Sequence, residues 1–514
     1  MITFAIALAC LVGGYFLYGS FVEKVFGPDP QRKTPCYTKT DGADFIPMPT
    51  WKVYTVQFLN IAGTGPIFGA LMGILYGPAA FLWIVLGCLM GGAMHDYMSG
   101  MISIRRDGAS LPEIIGDELG GTCRLLMRIV SLVLMICVGA SFTLIPAGLM
   151  DQLTTEVTGA TGTYLYWVVG MMVFYVCVTV FSISRIMGNV YPIFGVALLL
   201  MAILVGFGIF TNPGEIPDVM TAFTDHYPTG LDPNGTPLFP ALFITIACGA
   251  VSGFHATQSP MMARCIKNEK YGLRCFYGAM VTEGVVALIW AAASIKYIDA
   301  LDMTAIYHTT QQFTTPYEKL YYAMTHTLTG EEVKMNPALV VNMICNDWLG
   351  KLGLVLAVLG IVAAPMSTGG SAFRAARLIC ADFTHFAQKT VVQRVLLAVP
   401  LFLIAILMLN VSSFKVLWLY VSWFNQVLAT FTFFTIAHYL RHRGDEGSRV
   451  IAFLRSGWTW LISFFPAVFM CAVSTCFILI DKGNGFGMDH TSGYIIGLGF
   501  TAIITIMFLW YNRR

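Results

Sequence analysis

Four ionisable side chains stand inside long apolar stretches. They are His95 and Asp96 in GGAMHDYMSG (91–100), His255 in ACGAVSGFHATQSPMMAR (247–264) and Glu283 in FYGAMVTEG (276–284). A charge at membrane depth costs several kcal/mol unless it is paired or hydrated, so such groups point to function. Glu283 lies about ten residues into its stretch, about 15 Å at helical rise and close to a bilayer centre. A carboxylate that alternates protonation beside an imidazole titrating near neutrality is a workable proton relay. The relay set is His95, Asp96, His255 and Glu283. A structural pair is the alternative for Glu283, and a packing motif the alternative for His95–Asp96.

Two further stretches cannot stay helical. Asn60-Ile-Ala-Gly63-Thr64-Gly65-Pro66 places two glycines and a proline within four residues, which breaks a helix. Cys248 to Pro260 combines Gly249 and Gly253 with Ser252, His255, Thr257, Gln258 and Ser259. Freed backbone groups need partners in lipid, so both breaks should line a protected cavity. Asn60, Gly63, Thr64, Gly65, Ser252, Gly253, His255, Thr257 and Gln258 are the expected solute-binding positions. Ser367 and Thr368, beside Pro365, could coordinate Na⁺ with carbonyls from a break, or cap a helix. Asn425 and Gln426 are buried amides that could face the cavity, with interhelical hydrogen bonding as the plainer reading. The GxGxxxG string at 63–69 has no strand before it and is no nucleotide fingerprint.

The elements that must position these residues are membrane helices. The 514 residues are 57 % hydrophobic and 11 % charged, with a mean hydropathy of +0.71, whereas soluble domains carry about 25 % charged residues. That excludes an ordinary cytoplasmic enzyme. A net charge of +2 leaves no electrostatic footprint for nucleic acid. The 13 cysteines are scattered without a CxxC and read as packing residues, neither metal ligands nor disulfides. Thirteen spans of about 20 apolar residues are expected at 2–22, 52–76, 78–104, 125–150, 163–184, 190–210, 238–260, 273–298, 350–372, 391–409, 415–440, 457–480 and 492–511. The first, at Met1 with no basic flank, reads as a retained helix and not a leader.

Basic residues test that count. With the loop after the first span cytoplasmic, 24 of the 30 Lys and Arg fall on the cytoplasmic side, including Arg513 and Arg514. The other six are Lys296, Lys319, Lys334, Lys351, Lys415 and Lys482. This positive-inside bias puts the N-terminus outside and the C-terminus in the cytoplasm. The broken spans are second and seventh. Spans two to six and seven to eleven are therefore two sets of five, oppositely threaded because five is odd. The expected fold is an all-α polytopic membrane protein with an inverted five-plus-five repeat, one helix before it and two after. Its units are 1–51, 52–237, 238–440 and 441–514, with no appended soluble domain. The external segment 299–349 is too long for a connector and reads as a gate or cap, with a short amphipathic helix at 336–348.

NIAGTGPIFGA (60–70), GGAMHDYMSG (91–100), ACGAVSGFHATQSPMMAR (247–264), FYGAMVTEG (276–284) and APMSTGGSAFRAARL (364–378) resemble the carbon starvation protein A (CstA) family over about residues 1–480. The resemblance implies the amino acid–polyamine–cation superfamily with its LeuT-type inverted repeat. It further implies an inner-membrane importer of pyruvate or of peptides with proton coupling, and a shorter branch lacking the longer C-terminal region. It carries Asn60, Gly63, Gly65, His95, Asp96, Ser252, Gly253, His255 and Glu283 as functional positions.

Half-helix dipoles at the breaks favour an anion. The leading expectation is thus import of a small carboxylate, pyruvate first, with H⁺ as coupling ion, Na⁺ as the alternative and no cofactor. Peptide import is a second expectation. Transport of a divalent metal on Asp96, His95, His255 and Glu283 is a third, weakened because adjacent helical residues point about 100° apart. No nucleophile–base motif or signalling domain supports an enzyme or sensor.

Overall fold

The computed structural model describes residues 1–232, 235–411, 414–442, 458–483 and 485–512. Among them helix is the sole regular element, apart from one isolated bridge between His326 and Glu332. That is what a bilayer demands: with no water to take up backbone N–H and C=O groups, each segment must satisfy its own.

The long helices run α1 Ile2–Phe26, α2 Thr50–Ile61, α3 Gly65–Tyr76, α4 Ala79–Arg105, α5 Gly121–Thr158, α6 Tyr164–Val180 and α7 Met187–Thr211. They continue as α8 Leu238–Thr245, α9 Gly253–Ala263, α10 Glu269–Asp299, α11 Pro337–Thr384, α12 Val391–Val411, α13 Phe414–His442, α14 Leu461–Ile480 and α15 His490–Tyr511. Among the described residues eight helices are long and apolar enough to cross a membrane, or nine with α2–α3 as one bent span. The other expected spans are helical too: 163–184 contains α6, 238–260 divides into α8 and α9, and 350–372 and 415–440 lie in α11 and α13. Arg443, Arg449, Arg455, Arg513 and Arg514 of the orientation argument lie outside the described residues.

The fold is the inverted five-plus-five repeat. The first break bends α2 against α3 by 44°. The second runs through 246–252, where Gly249 takes φ +90°, a conformation open mainly to glycine. The corresponding third helices of the two sets, α5 and α11, pack along each other, with Phe373 filling the place a side chain on Gly139 would need. Glycines also seat α4 on the second break. A Cβ on Gly92 would meet the Ala250 carbonyl, and one on Gly91 the Val251 side chain. This packing fixes the helix that carries His95 and Asp96.

The helix expected at 336–348 is the first part of α11, set off by Gly350 at φ +60°. It buries Ala338, Val341, Ile344 and Cys345. The segment before it packs on the ends of α3 and α10. His226 and Tyr317 rings lie 5.0 Å apart, and Lys319 donates to the Asp299 and Leu301 carbonyls at 3.2 and 3.1 Å.

On the opposite side the loop after α1 is bolted to the bundle. Arg374 Nη1 reaches Asp44 Oδ1 at 2.5 Å, and Arg377 Nη2 reaches both Asp44 oxygens at 2.8 Å. All three side chains are buried. Arg374 also donates to the Val178 and Phe181 carbonyls, and Arg394 to Val180. These cations close the C-terminal end of α6, where orphan carbonyls and the helix dipole favour positive charge.

Candidate functional site

The two breaks meet. A Cβ on Gly65 would overlap the Cys248 side chain, and one on Gly69 would stand 2.9 Å from the Thr245 carbonyl. Between them lies a narrow cavity of about 40 Å³, walled by Ile61, Gly65 and Gly69 from the first break and Ile244, Thr245, Ala247, Cys248 and Phe254 from the second. Val138 and Phe142 of α5, Thr368 of α11 and Ser422 and Asn425 of α13 complete it. A smaller space of about 10 Å³, room for a single water, lies further along α9, lined by Ser110, Thr257, Pro260 and Arg264. Phe254 and Thr257, three residues apart and so on one helix face, each border one of the two. Arg264 Nη2 and the Ser110 N–H both reach Asp382 Oδ2, at 3.2 and 3.3 Å.

Of the nine positions expected to hold a solute, Gly65 lines the larger cavity and Thr257 the smaller. Asn60, Gly63, Thr64, Ser252, Gly253, His255 and Gln258 sit behind the walls. The Asn60 amide and Thr64 hydroxyl are buried without a hydrogen-bond partner among the described residues. Ser367 and Thr368 do reach a carbonyl of the break: both donate to Leu59 O, at 3.1 and 3.0 Å. They lie within α11 and cap no helix start.

Asn425 does more than bridge helices. Its Oδ1 accepts from the Phe254 N–H at 2.5 Å and the Ser252 hydroxyl at 3.1 Å. The N-terminus of α9 receives no cap from Ser252, its own N-cap residue, so α13 supplies it. Gln426 Nε2 similarly donates to the Val251 carbonyl at 3.2 Å. Asn425→Ala should cost about 1–3 kcal/mol, because a buried N–H loses its acceptor. Thermal unfolding of the purified protein checks this, and an unchanged midpoint would deny the cap.

The four ionisable groups converge although they come from three helices. His95 Nδ1 lies 3.0 Å from Asp96 Oδ1, His255 Nδ1 lies 3.4 Å from Asp96 Oδ2, and His255 Nδ1 lies 3.7 Å from Glu283 Oε2. All four are fully buried. The helical divergence expected of His95 and Asp96 is overcome by side-chain rotation. His255 is thus flanked by two carboxylates, and neither Glu283 oxygen makes a hydrogen bond among the described residues. Cys248, read from sequence as a packing residue, joins them. Its Sγ, a His255 nitrogen and a Glu283 oxygen lie within 4.8 Å of one another. Since Cys248 also lines the cavity, one residue separates the acid–imidazole cluster from the open space. Its place in the glycine-interrupted stretch was the available signal.

Helices broken at matching points of two inverted repeats, with a cavity where the breaks meet, define a transporter-type membrane fold. Solved structures agree. The nucleobase-cation-symport-1 family transporter Mhp1, closed around bromovinylhydantoin, superposes with a TM-score of 0.51 at 14 % identity, covering 94 % of this chain and 95 % of that one. The manganese transporter of Eremococcus coleocola superposes with a TM-score of 0.52 at 12 % identity, covering 94 % and 96 %. The chain belongs to the CstA family: the model described as carbon starvation protein CstA matches residues 1–216 and 207–475. Among relatives, a protein named uncharacterized membrane protein from Haemophilus influenzae is 38 % identical over 58 % of this chain and 92 % of its own. From Escherichia coli, the pyruvate/proton symporter BtsT and the peptide transporter CstA are each 32 % identical over 55 % of this chain, covering 46 % and 48 % of their own lengths. The matches thus span about half of those named transporters.

Proposed function

We propose that this protein is a secondary active transporter of the inner membrane that imports a small carboxylate, pyruvate first, together with a proton. The observation that carries the reading is the meeting of the two breaks on a cavity one residue from the buried His255–Glu283–Asp96 cluster. In this reading the N-terminus is outside, 52–237 and 238–440 are the repeats, 1–51 and 441–514 flank them, and 299–349 covers the external ends of α3 and α10.

The chemistry follows from the geometry. α3 begins at Gly65 on the cavity wall, so its positive dipole end favours a carboxylate there without a fixed cation. A proton taken up by the cluster offsets that charge as the solute moves against a negative interior. His255, placed between two carboxylates, passes the proton between Glu283 and Asp96. The two narrow spaces along α9 mark an outer and an inner end of the solute path, with Arg264 at the inner one. Rocking of one bundle against the other exposes them alternately.

Uptake of labelled pyruvate into vesicles, with and without an imposed pH gradient, tests this. Gradient-independent flux would remove proton coupling, and absence of saturable flux would remove the substrate. Peptide import by the same site predicts instead that dipeptides compete with pyruvate. A divalent-metal cargo is the second reading, favoured by the convergence of Cys248, His255 and Glu283; metal analysis of the purified protein and metal uptake separate it from the first. Within the leading reading, Glu283→Gln mimics the protonated acid and should flatten the pH profile of uptake. A retained profile would take Glu283 out of the relay.

A further inference from the structure

A larger space opens on the outside of the bundle, away from the transport cavity. It is a groove of about 530 Å³ between α1, α2 and α10. Its α10 wall runs from Arg274 to Val285, eleven residues or about 16 Å at helical rise. That is close to the depth of one leaflet, half of a hydrocarbon core of about 30 Å. One end carries the exposed Arg274 guanidinium and Trp51. The other is mainly apolar, with Val12 and Phe16 facing Val281 and Val285 and the mutually bonded Tyr54 and Thr282 hydroxyls as its polar groups. Arg274 forms no ion pair among the described residues.

We propose that this groove binds one anionic diacyl phospholipid of the cytoplasmic leaflet, with its phosphate on Arg274 and an acyl chain along Phe16, Val281 and Val285. Charge complementarity selects the headgroup and length selects a leaflet-long chain. Trp51 near the Arg274 end suits the interface level. The groove also touches working parts. Tyr54 OH and Thr282 Oγ1 are 2.7 Å apart across it. Tyr54 is on α2, the half-helix that leads into the first break, and Thr282 precedes Glu283. A lipid held here would fix α2 against α10. The proposal does not depend on what the transporter carries.

The experiment is lipid retention by the whole protein in mild detergent, read by native mass spectrometry after exchange into equimolar phosphatidylglycerol and phosphatidylcholine. Preferential retention of phosphatidylglycerol is expected. Arg274→Gln should lower that preference roughly fivefold, as loss of one basic contact to an anionic headgroup, while Arg274→Lys keeps it. Arg274 is exposed, so unchanged elution and thermal midpoint will show that the variant folds. Equal retention of the two lipids, or an undiminished preference in Arg274→Gln, would overturn the proposal. So would a stable dimer whose contact fills the groove.

Discussion

Gly65→Leu should abolish solute uptake and leave membrane insertion intact. Position 65 is where the two breaks touch, and its missing side chain is filled by Cys248. A leucine there cannot be accommodated by rotating Cys248 alone, because Gly69 against the Thr245 carbonyl holds the same contact one turn on. The breaks must part, or the cavity fill. Overpacking of this kind costs about 1–3 kcal/mol, which taken from the transport-competent state is roughly a fivefold to 150-fold loss. Flux of labelled solute, normalised to folded protein by size-exclusion profile, measures it. Gly65→Ala should give a smaller loss. Cys248→Ala placed on Gly65→Leu should restore part of the flux, because removing Sγ vacates the overlapped volume. Wild-type uptake by Gly65→Leu would mean that solute does not pass between the breaks.

Much of this architecture was legible because its signals are local. Gly63, Gly65 and Pro66 break a helix wherever they stand. The lateral packing was not local. Asp96, His255 and Glu283 each announced themselves as membrane-depth ionisable groups, yet their convergence depends on α4 docking on the second break through Gly91 and Gly92. Cys248 looked like a small hydrophobe because nothing in its own stretch tells which neighbour it faces. Asn60 and Thr64 were expected to touch the solute since they flank the break. The chain turns at Ala62 and leaves Ile61 and Gly65 on the wall instead. Asn425 looked like a generic amide because the helix end it caps is 171 residues away in sequence.

The least legible feature, Asp44, should also give the largest stability effect. Its loop is already rigid: Asp41 Oδ1 accepts from the Ala43, Asp44 and Phe45 N–H groups at 2.8–2.9 Å, and the Ala43 carbonyl accepts from Ile183 N at 2.9 Å. Asp44→Asn would leave Arg374 and Arg377 buried with no counter-charge at that point. Breaking a buried pair by removing one partner costs about 3–5 kcal/mol, so the thermal midpoint should fall sharply. Asp44→Asn combined with Arg377→Met should recover part of the loss, since one uncompensated cation is gone. The pH behaviour has a definite sign. Burial alone would raise the Asp44 carboxyl, but the Arg377 and Arg374 charges outweigh it and hold the group well below its ordinary value. A depressed folded value gives stability that is complete above the unfolded carboxylate range, about pH 4, and lost only as pH falls through the folded value. At neutral and mildly acidic pH this anchor therefore does not titrate, and a pH profile of uptake in that range belongs to other groups. Asp44→Asn should lower stability equally across that range. It should also expose Cys265, buried and with its Sγ 3.5 Å from the Asp44 carbonyl, to a maleimide added to the purified, detergent-solubilised protein. An unlabelled Cys265 together with an unshifted midpoint would show that Asp44 does not hold the loop.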